Sequence, residues 1–211
     1  MEAKRVFVIG DIHGCLDMFT RLIAKIEWGP DRDTLILLGD YIDRGKDSKG
    51  VIDLLLELSG ASSHVHCLIG NHEKIFLDYL SGKGVELFLV NGGETTLKSY
   101  KKDGKIRIPP KHITFLNNLE PWLELDDYYF VHAGLRPGVG IQEQSLDDLI
   151  WIRDPFISSD YDFGKKVIFG HTPFYKPLMK DNKIGLDTGA VYGNKLTCLE
   201  LPYMKFHSVE G

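Results

Sequence analysis

Three short apolar runs in the first third of the chain each end at a glycine followed by a polar side chain. Val6–Ile9 leads into Gly10-Asp11, Leu35–Leu38 into Gly39-Asp40, and His64–Ile69 into Gly70-Asn71. Runs this short and bounded by glycine read as buried strands. Between them, Leu16, Phe19, Leu22, Ile23 and Ile26 recur at helical spacing, as do Val51, Ile52, Leu55, Leu56 and Leu58. Strand alternating with helix predicts βαβ units and a mostly parallel sheet. Such sheets gather functional groups beyond the carboxyl ends of their strands, where Asp11, Asp40 and Asn71 fall.

The region from about 75 to 121 is more helical and polar, with a break at Asn91-Gly92-Gly93. Beyond it, Trp122–Leu125 and Tyr128–His132 flank Asp126-Asp127 as a hairpin. Val167–Phe169, Ile184–Leu186, Lys195–Leu201 and Met204–His207 follow, and together these segments predict a second sheet packed on the first. The fold class expected is therefore α/β, with two packed mixed sheets flanked by helices. No repeat, low-complexity tract or linker divides the chain, so residues 1–211 are expected to form one domain.

The net charge of -5 gives no general attraction for nucleic acid or an anionic membrane. An anionic substrate must then be drawn in locally. Cys15, Cys67 and Cys198 lack C-x-x-C spacing, and the first apolar run is too short for a secretory leader, so a reducing cytoplasm is expected. No stretch approaches the roughly 20 apolar residues that would span a bilayer.

Two further strand ends carry histidine, at His132-Ala133-Gly134 and Gly170-His171-Thr172. With Asp11, His13, Asp40 and Asn71, these supply carboxylate, imidazole and amide donors to one rim. A mixed nitrogen and oxygen set without thiolate suits Mn, Fe or Zn, and is too rich in imidazole for Mg or Ca alone. Asp11 and His13, two apart in an extended loop, would share one ion. Asp40 would bridge to a second ion completed by Asn71, His132 and His171. Each residue alone has an ordinary reading: Asp11 as a helix cap, Asp40 and Asp43 as turn carboxylates, Asn71 as a turn residue, the histidines as core. All six falling at strand ends by accident is the weaker account.

Gly-Asp-Ile-His-Gly at 10–14, Gly-Asp-Tyr-Ile-Asp-Arg-Gly at 39–45 and Gly-Asn-His-Glu at 70–73 resemble the phosphoprotein phosphatase (PPP) family of calcineurin-like metallophosphoesterases. The resemblance extends to Asp187-Thr188-Gly189 and implies the αββα sandwich of that family. It implies two divalent metals, with Mn the expected pair: Asp11, His13 and Asp40 on the first, Asp40, Asn71, His132 and His171 on the second. His72 would be the general acid that serves attack by a metal-activated water, with Asp43 paired to it. Arg44 would hold the phosphate, with Asn71 also contacting substrate and Arg153 aiding from the looser motif Trp151-Ile152-Arg153-Asp154.

Asp43 and Glu73 within these motifs resemble the protein phosphatases. Related symmetrical diadenosine tetraphosphate hydrolases differ at both places. The expected substrate is accordingly phosphoserine or phosphothreonine in a protein, with phosphotyrosine and small phosphoesters as further candidates and dinucleoside polyphosphates as the alternative. The stretch Asp187–Gly193 replaces the Ser-Ala-Pro-Asn-Tyr-Cys loop of eukaryotic members, placing the chain nearer the compact bacterial and phage enzymes, with no regulatory subunit implied. His64, His66, His112 and His207 match no family position and are read as structural or surface residues. Cys15, at a helix start where a thiol pKa can fall, is read as packing rather than redox chemistry. Arg136 just past His132 is open between a ligand contact and a surface role.

Overall fold

In the computed structural model, which describes residues 4–211, β1 (Val6–Ile9) and β2 (Thr34–Leu37) are buried at every position. Both faces of the sheet they form are therefore covered. β3 (Val65–Cys67) joins them in parallel, with Ile9 beside Leu37 and Leu37 beside Cys67. The crossovers are helices α1 (Leu16–Ile26) and α2 (Ser48–Ala61). Side chains alternate across a strand, and here each set finds its own layer. Phe7, Ile9, Leu35 and Leu37 pack with Phe19, Leu22, Val51 and Leu55 of the two helices. Val6, Val8, Ile36 and Leu38 pack instead with Phe130, Ile168, Ile184 and Leu186 of a second sheet.

The middle of the chain forms α3 (Asn71–Leu80), α4 (Val85–Val90), α5 (Gly93–Ser99), a small hairpin of β4 (Lys101–Lys102) and β5 (Lys105–Ile106), and α6 (Pro110–Asn117). The second sheet contains β6 (Trp122–Leu125), β7 (Tyr128–Val131), β8 (Lys166–Phe169), β9 (Leu178–Met179) and β10 (Lys183–Gly185), in the order β6-β7-β8-β10-β9. β6 and β7 are the hairpin expected across Asp126-Asp127, while β7, β8 and β10 run parallel. On its outer face, Leu149 and Ile150 of α7 (Leu146–Trp151) and Phe156 of α8 (Asp154–Ile157) cover Val131, Val167 and Phe169. The layering is thus helix, sheet, sheet, helix.

One assignment from the sequence is corrected. β11 (Lys195–Leu201) and β12 (Lys205–Glu210) belong to the first sheet, not the second, in the order β12-β11-β1-β2-β3. β11 lies antiparallel to β1, with Val8 beside Leu199. Period-two alternation identifies a strand but not its partner, and the free edge of β1 offered one. The β4–β5 hairpin and β9 are too short for periodicity to reveal. No helix among the described residues is long and apolar enough to cross a membrane.

Candidate metal centre and active site

Asp40 follows β2, is buried, and stands at the centre of the rim. Its Oδ2 lies 3.4 Å from His13 Nε2 and its Oδ1 lies 3.3 Å from His132 Nε2. Among the described residues it is common to two groups with converging donor atoms, His13–Asp40–His72 and Asp40–His132–His171. Burial pushes its carboxyl up, but the surrounding imidazoles, His132 first, outweigh this and hold it well below the usual range. The residue adopts φ 53, in the left-handed region. That backbone is held by Glu73, whose Oε2 accepts the N–H groups of Asp40 at 2.9 Å and Gly70 at 3.0 Å, and whose Oε1 accepts that of Tyr41 at 2.8 Å. Burial raises Glu73 to about 8, with the charge of Asp40 adding to it. Both oxygens nonetheless accept N–H groups, which is the pattern of an ionised carboxylate.

The histidines are oriented from behind. His13 Nδ1 donates to Ile42 O and His132 Nδ1 to Leu38 O, each at 2.8 Å, which leaves the Nε2 lone pairs facing inward. Burial lowers His13 to about 3 and His171 to about 2, and lowers His132 as well. Neutral imidazole is the ligating form. His132 Nε2 meets Asn71 Oδ1 at 3.1 Å, so two acceptors face one another. The Nε2 atom of His171 is buried without a hydrogen-bond partner, and so is that of His72, whose raised pKa suits it to carry a proton rather than a metal. Converging lone pairs and the orphaned His171 nitrogen fit a site for divalent cations.

Asp11 follows β1 and is also buried. Both its oxygens accept the His171 N–H at 3.0 Å, across the junction of the two sheets. Burial raises its pKa well above the usual range, and the nearby Asp187 and Asp40 raise it further. Asp187, past β10, enters the sequence reading only as the far end of the family resemblance, with no role given to its carboxylate. Its own buried carboxyl is raised to about 6 by desolvation while it accepts the Gly189 N–H at 2.9 Å. Three carboxylates in one buried pocket call for positive charge. The loop from Asp11 to His13 is not extended as expected, since His13 has φ 46 and its ring converges with Asp40 and His72. Glycine makes room for two carboxylates: a Cβ on Gly70 would lie 2.2 Å from Asp40 Oδ1, and one on Gly170 2.2 Å from Asp11 Oδ1.

Asn71 and His72 open α3. His72 Nδ1 bonds Asp43 Oδ2 at 2.7 Å, and the other Asp43 oxygen accepts the Thr96 hydroxyl at 2.6 Å. Ser48 and Thr96 oxygens both accept the Asp43 N–H, at 3.0 and 2.9 Å. Burial lowers the His72 pKa, but the charges of Asp40 and Asp43 and the Asp43 bond bring it above the ordinary value. Arg44 Nη1 reaches His13 Nε2 at 2.6 Å, and its guanidinium lies 5.8 Å from the Tyr192 ring centre. Arg153 is exposed on the opposite side, with Nη1 3.3 Å from Thr172 Oγ1 beside His171.

The remaining candidates fall outside the site. Arg136 forms a two-point ion pair with Asp148, with Nε at 2.8 Å from Oδ2. His66 pairs with Glu120, His207 with Glu200, and His112 bridges Tyr100 and Asp53. Asp11 does not cap a helix, since α1 begins at Leu16 behind Cys15. Burial raises the Cys15 thiol instead of lowering it, in keeping with packing. Sequence reasoning left Glu73, Thr96 and Ser48 without a structural role. Glu73 entered only as a family marker, and Thr96 lies in a helix with no legible link to the motifs.

Fold and site together define a metallophosphoesterase. The chain belongs to the calcineurin-like phosphoesterase family, whose model matches residues 4–201. It is 33% identical to serine/threonine-protein phosphatase 1 of Salmonella typhimurium, over 93% of each chain. It is 30% identical to the asymmetrical bis(5'-nucleosyl)-tetraphosphatase PrpE of Bacillus cereus, covering 96% of this chain and 92% of that one. A crystal structure assigned provisionally as a diadenosine tetraphosphatase superposes with TM-score 0.81 at 26% identity, covering 99% and 94% of the two chains.

Proposed function

We propose that the chain is a metal-dependent phosphomonoesterase acting on phosphoserine and phosphothreonine in proteins, with residues 1–211 as one catalytic domain. The observation that carries the phosphoesterase reading is the position of Asp40 between two imidazole groups, with Arg44 at the edge. Asp11, His13 and Asp40 would hold one divalent ion, and Asp40, Asn71, His132 and His171 the other, with Mn the expected metal. When bound, such a pair polarises the phosphoryl group and acidifies a water at neutral pH.

The protein's own groups complete the reaction. Arg44 exchanges its bond to His13 for phosphate oxygens, which a guanidinium matches with two parallel bonds, and Arg153 approaches from the other side. His72 Nε2 delivers a proton to the departing alkoxide. Asp43 fixes the ring orientation through Nδ1 and offsets the positive charge of the protonated form. Thr96 and Ser48 hold Asp43 in turn.

A protein substrate is supported by Asp43 and Glu73 in the motifs and by the name of the Salmonella relative. The Bacillus relative's name supports a second reading, hydrolysis of dinucleoside polyphosphates. Turnover of phosphoserine, phosphothreonine and phosphotyrosine peptides, nucleotides and diadenosine tetraphosphate with Mn present separates the two. The protein-phosphatase reading expects the phosphoserine and phosphothreonine peptides to give the highest kcat/KM. A dominant diadenosine tetraphosphate activity overturns it.

A further inference from the structure

A cavity of about 570 Å³ adjoins the phosphate arginine, with Leu16, Met18, Ala190 and Val191 forming its apolar wall. Its volume falls within the ~300–1,000 Å³ of ordinary ligand pockets. Arg44 lines this cavity and also bonds His13, so the cavity is continuous with the catalytic rim. Nothing in the proposed chemistry uses it.

The charges around the cavity discriminate between occupants. Arg21 is engaged by Asp17 at 2.9 Å and by Glu210 O at 2.8 Å. Arg44 is assigned to the phosphate. Of the cations lining the cavity this leaves Lys46, next in sequence to Asp47, whose carboxylate accepts the Gly50 N–H at 2.7 Å. Beyond Arg44 the charged groups of the lining balance, Arg21 and Lys46 against Asp17 and Asp47, so a polyphosphate finds no net attraction there. An uncharged apolar group would meet Leu16, Met18, Ala190 and Val191, and its burial there is favourable.

We propose that this cavity receives an apolar side chain of a phosphopeptide, close in sequence to the phosphorylated residue, and so selects among phosphosites. The inference rests on the protein-phosphatase reading above. It is tested with paired phosphoserine peptides carrying Leu or Asp at each neighbouring position, alongside diadenosine tetraphosphate, all with Mn. Each rate is divided by the same preparation's turnover of 4-nitrophenyl phosphate, which corrects for variants that fold poorly. The wild type is expected to favour one Leu peptide over its Asp partner on the order of tenfold in kcat/KM. Val191→Trp, which fills the cavity, and Leu16→Asp, which charges its wall, should each bring that ratio toward unity. Peptides cleaved without preference, or a preference that survives both substitutions, overturn this inference alone. Hydrolysis of diadenosine tetraphosphate with no peptide turnover overturns the protein-phosphatase reading, and this one with it.

Discussion

Asp43 Oδ2 and His72 Nδ1 lie 2.7 Å apart with both side chains fully buried, and the second Asp43 oxygen is taken by Thr96. The imidazole is thereby fixed with Nε2 toward the metal-competent rim, and its protonated form is favoured. Asp43→Asn keeps the shape but removes the charge that raises the His72 pKa. An acid acts while protonated, so activity falls as pH rises through that pKa. The alkaline limb of the kcat profile should therefore move to lower pH, with kcat down about 10- to 100-fold and metal content unchanged. An unmoved limb would refute the acid assignment.

Glu73 holds four backbone N–H groups, those of Asp40, Tyr41, Ile42 and Gly70, that set the turn at Asp40. In Glu73→Gln one oxygen becomes an NH2 that faces N–H donors. The variant should lose about 1–3 kcal/mol of stability and bind Mn roughly ten- to a hundredfold more weakly. Isothermal titration with Mn and urea unfolding read the two effects separately. Wild-type Mn affinity in this variant would show that the turn stands without Glu73.

Gly170→Ala tests the packing behind Asp11. The added Cβ would lie 2.2 Å from Asp11 Oδ1, so the carboxylate must shift or rotate. The expected outcome is reduced metal occupancy by elemental analysis, with the overall fold preserved by circular dichroism. Full occupancy would place Asp11 outside the ligand set.

Away from the site, Arg5 grips Asp33 through Nε at 3.2 Å and Nη2 at 2.6 Å, and the Gly29 N–H adds a bond at 2.8 Å. Burial raises the Asp33 carboxyl, but these bonds outweigh it and its pKa is lowered. A lowered folded pKa contributes stability above the unfolded value of about 3.9. That contribution is lost as pH falls through the folded pKa. Asp33→Asn should therefore cost about 1–2 kcal/mol at pH 7 and progressively less below pH 4. Urea midpoints across that range check it, and a gap that stays constant with pH would contradict it.

Much of the rim was legible because its residue types follow apolar runs that can only be strands. Asp11, Asp40, Asn71, His132 and His171 lie near the strand ends where the parallel topology puts them. The local backbone was not legible. His13, Asp40, Asp43, Arg44 and His171 all have φ between 46 and 69, a conformation unfavourable for such residues. It is sustained by tertiary partners such as Glu73 and Thr96, which no window around the turn contains. The same limit explains β11 and β12, whose alternation marks strands while their neighbour is chosen by the free edge of β1.

The central claim is a divalent-metal site that hydrolyses phosphoesters, and one paired measurement tests it most directly. Protein stripped with chelator and reloaded with Mn is assayed for bound metal and for 4-nitrophenyl phosphate hydrolysis, in the wild type and in Asp40→Asn. The wild type should bind about two ions per chain, be inactive when stripped and recover on reloading, while Asp40→Asn should lose both metal and activity. Hydrolysis undiminished by stripping, or full metal and activity in Asp40→Asn, would contradict the account.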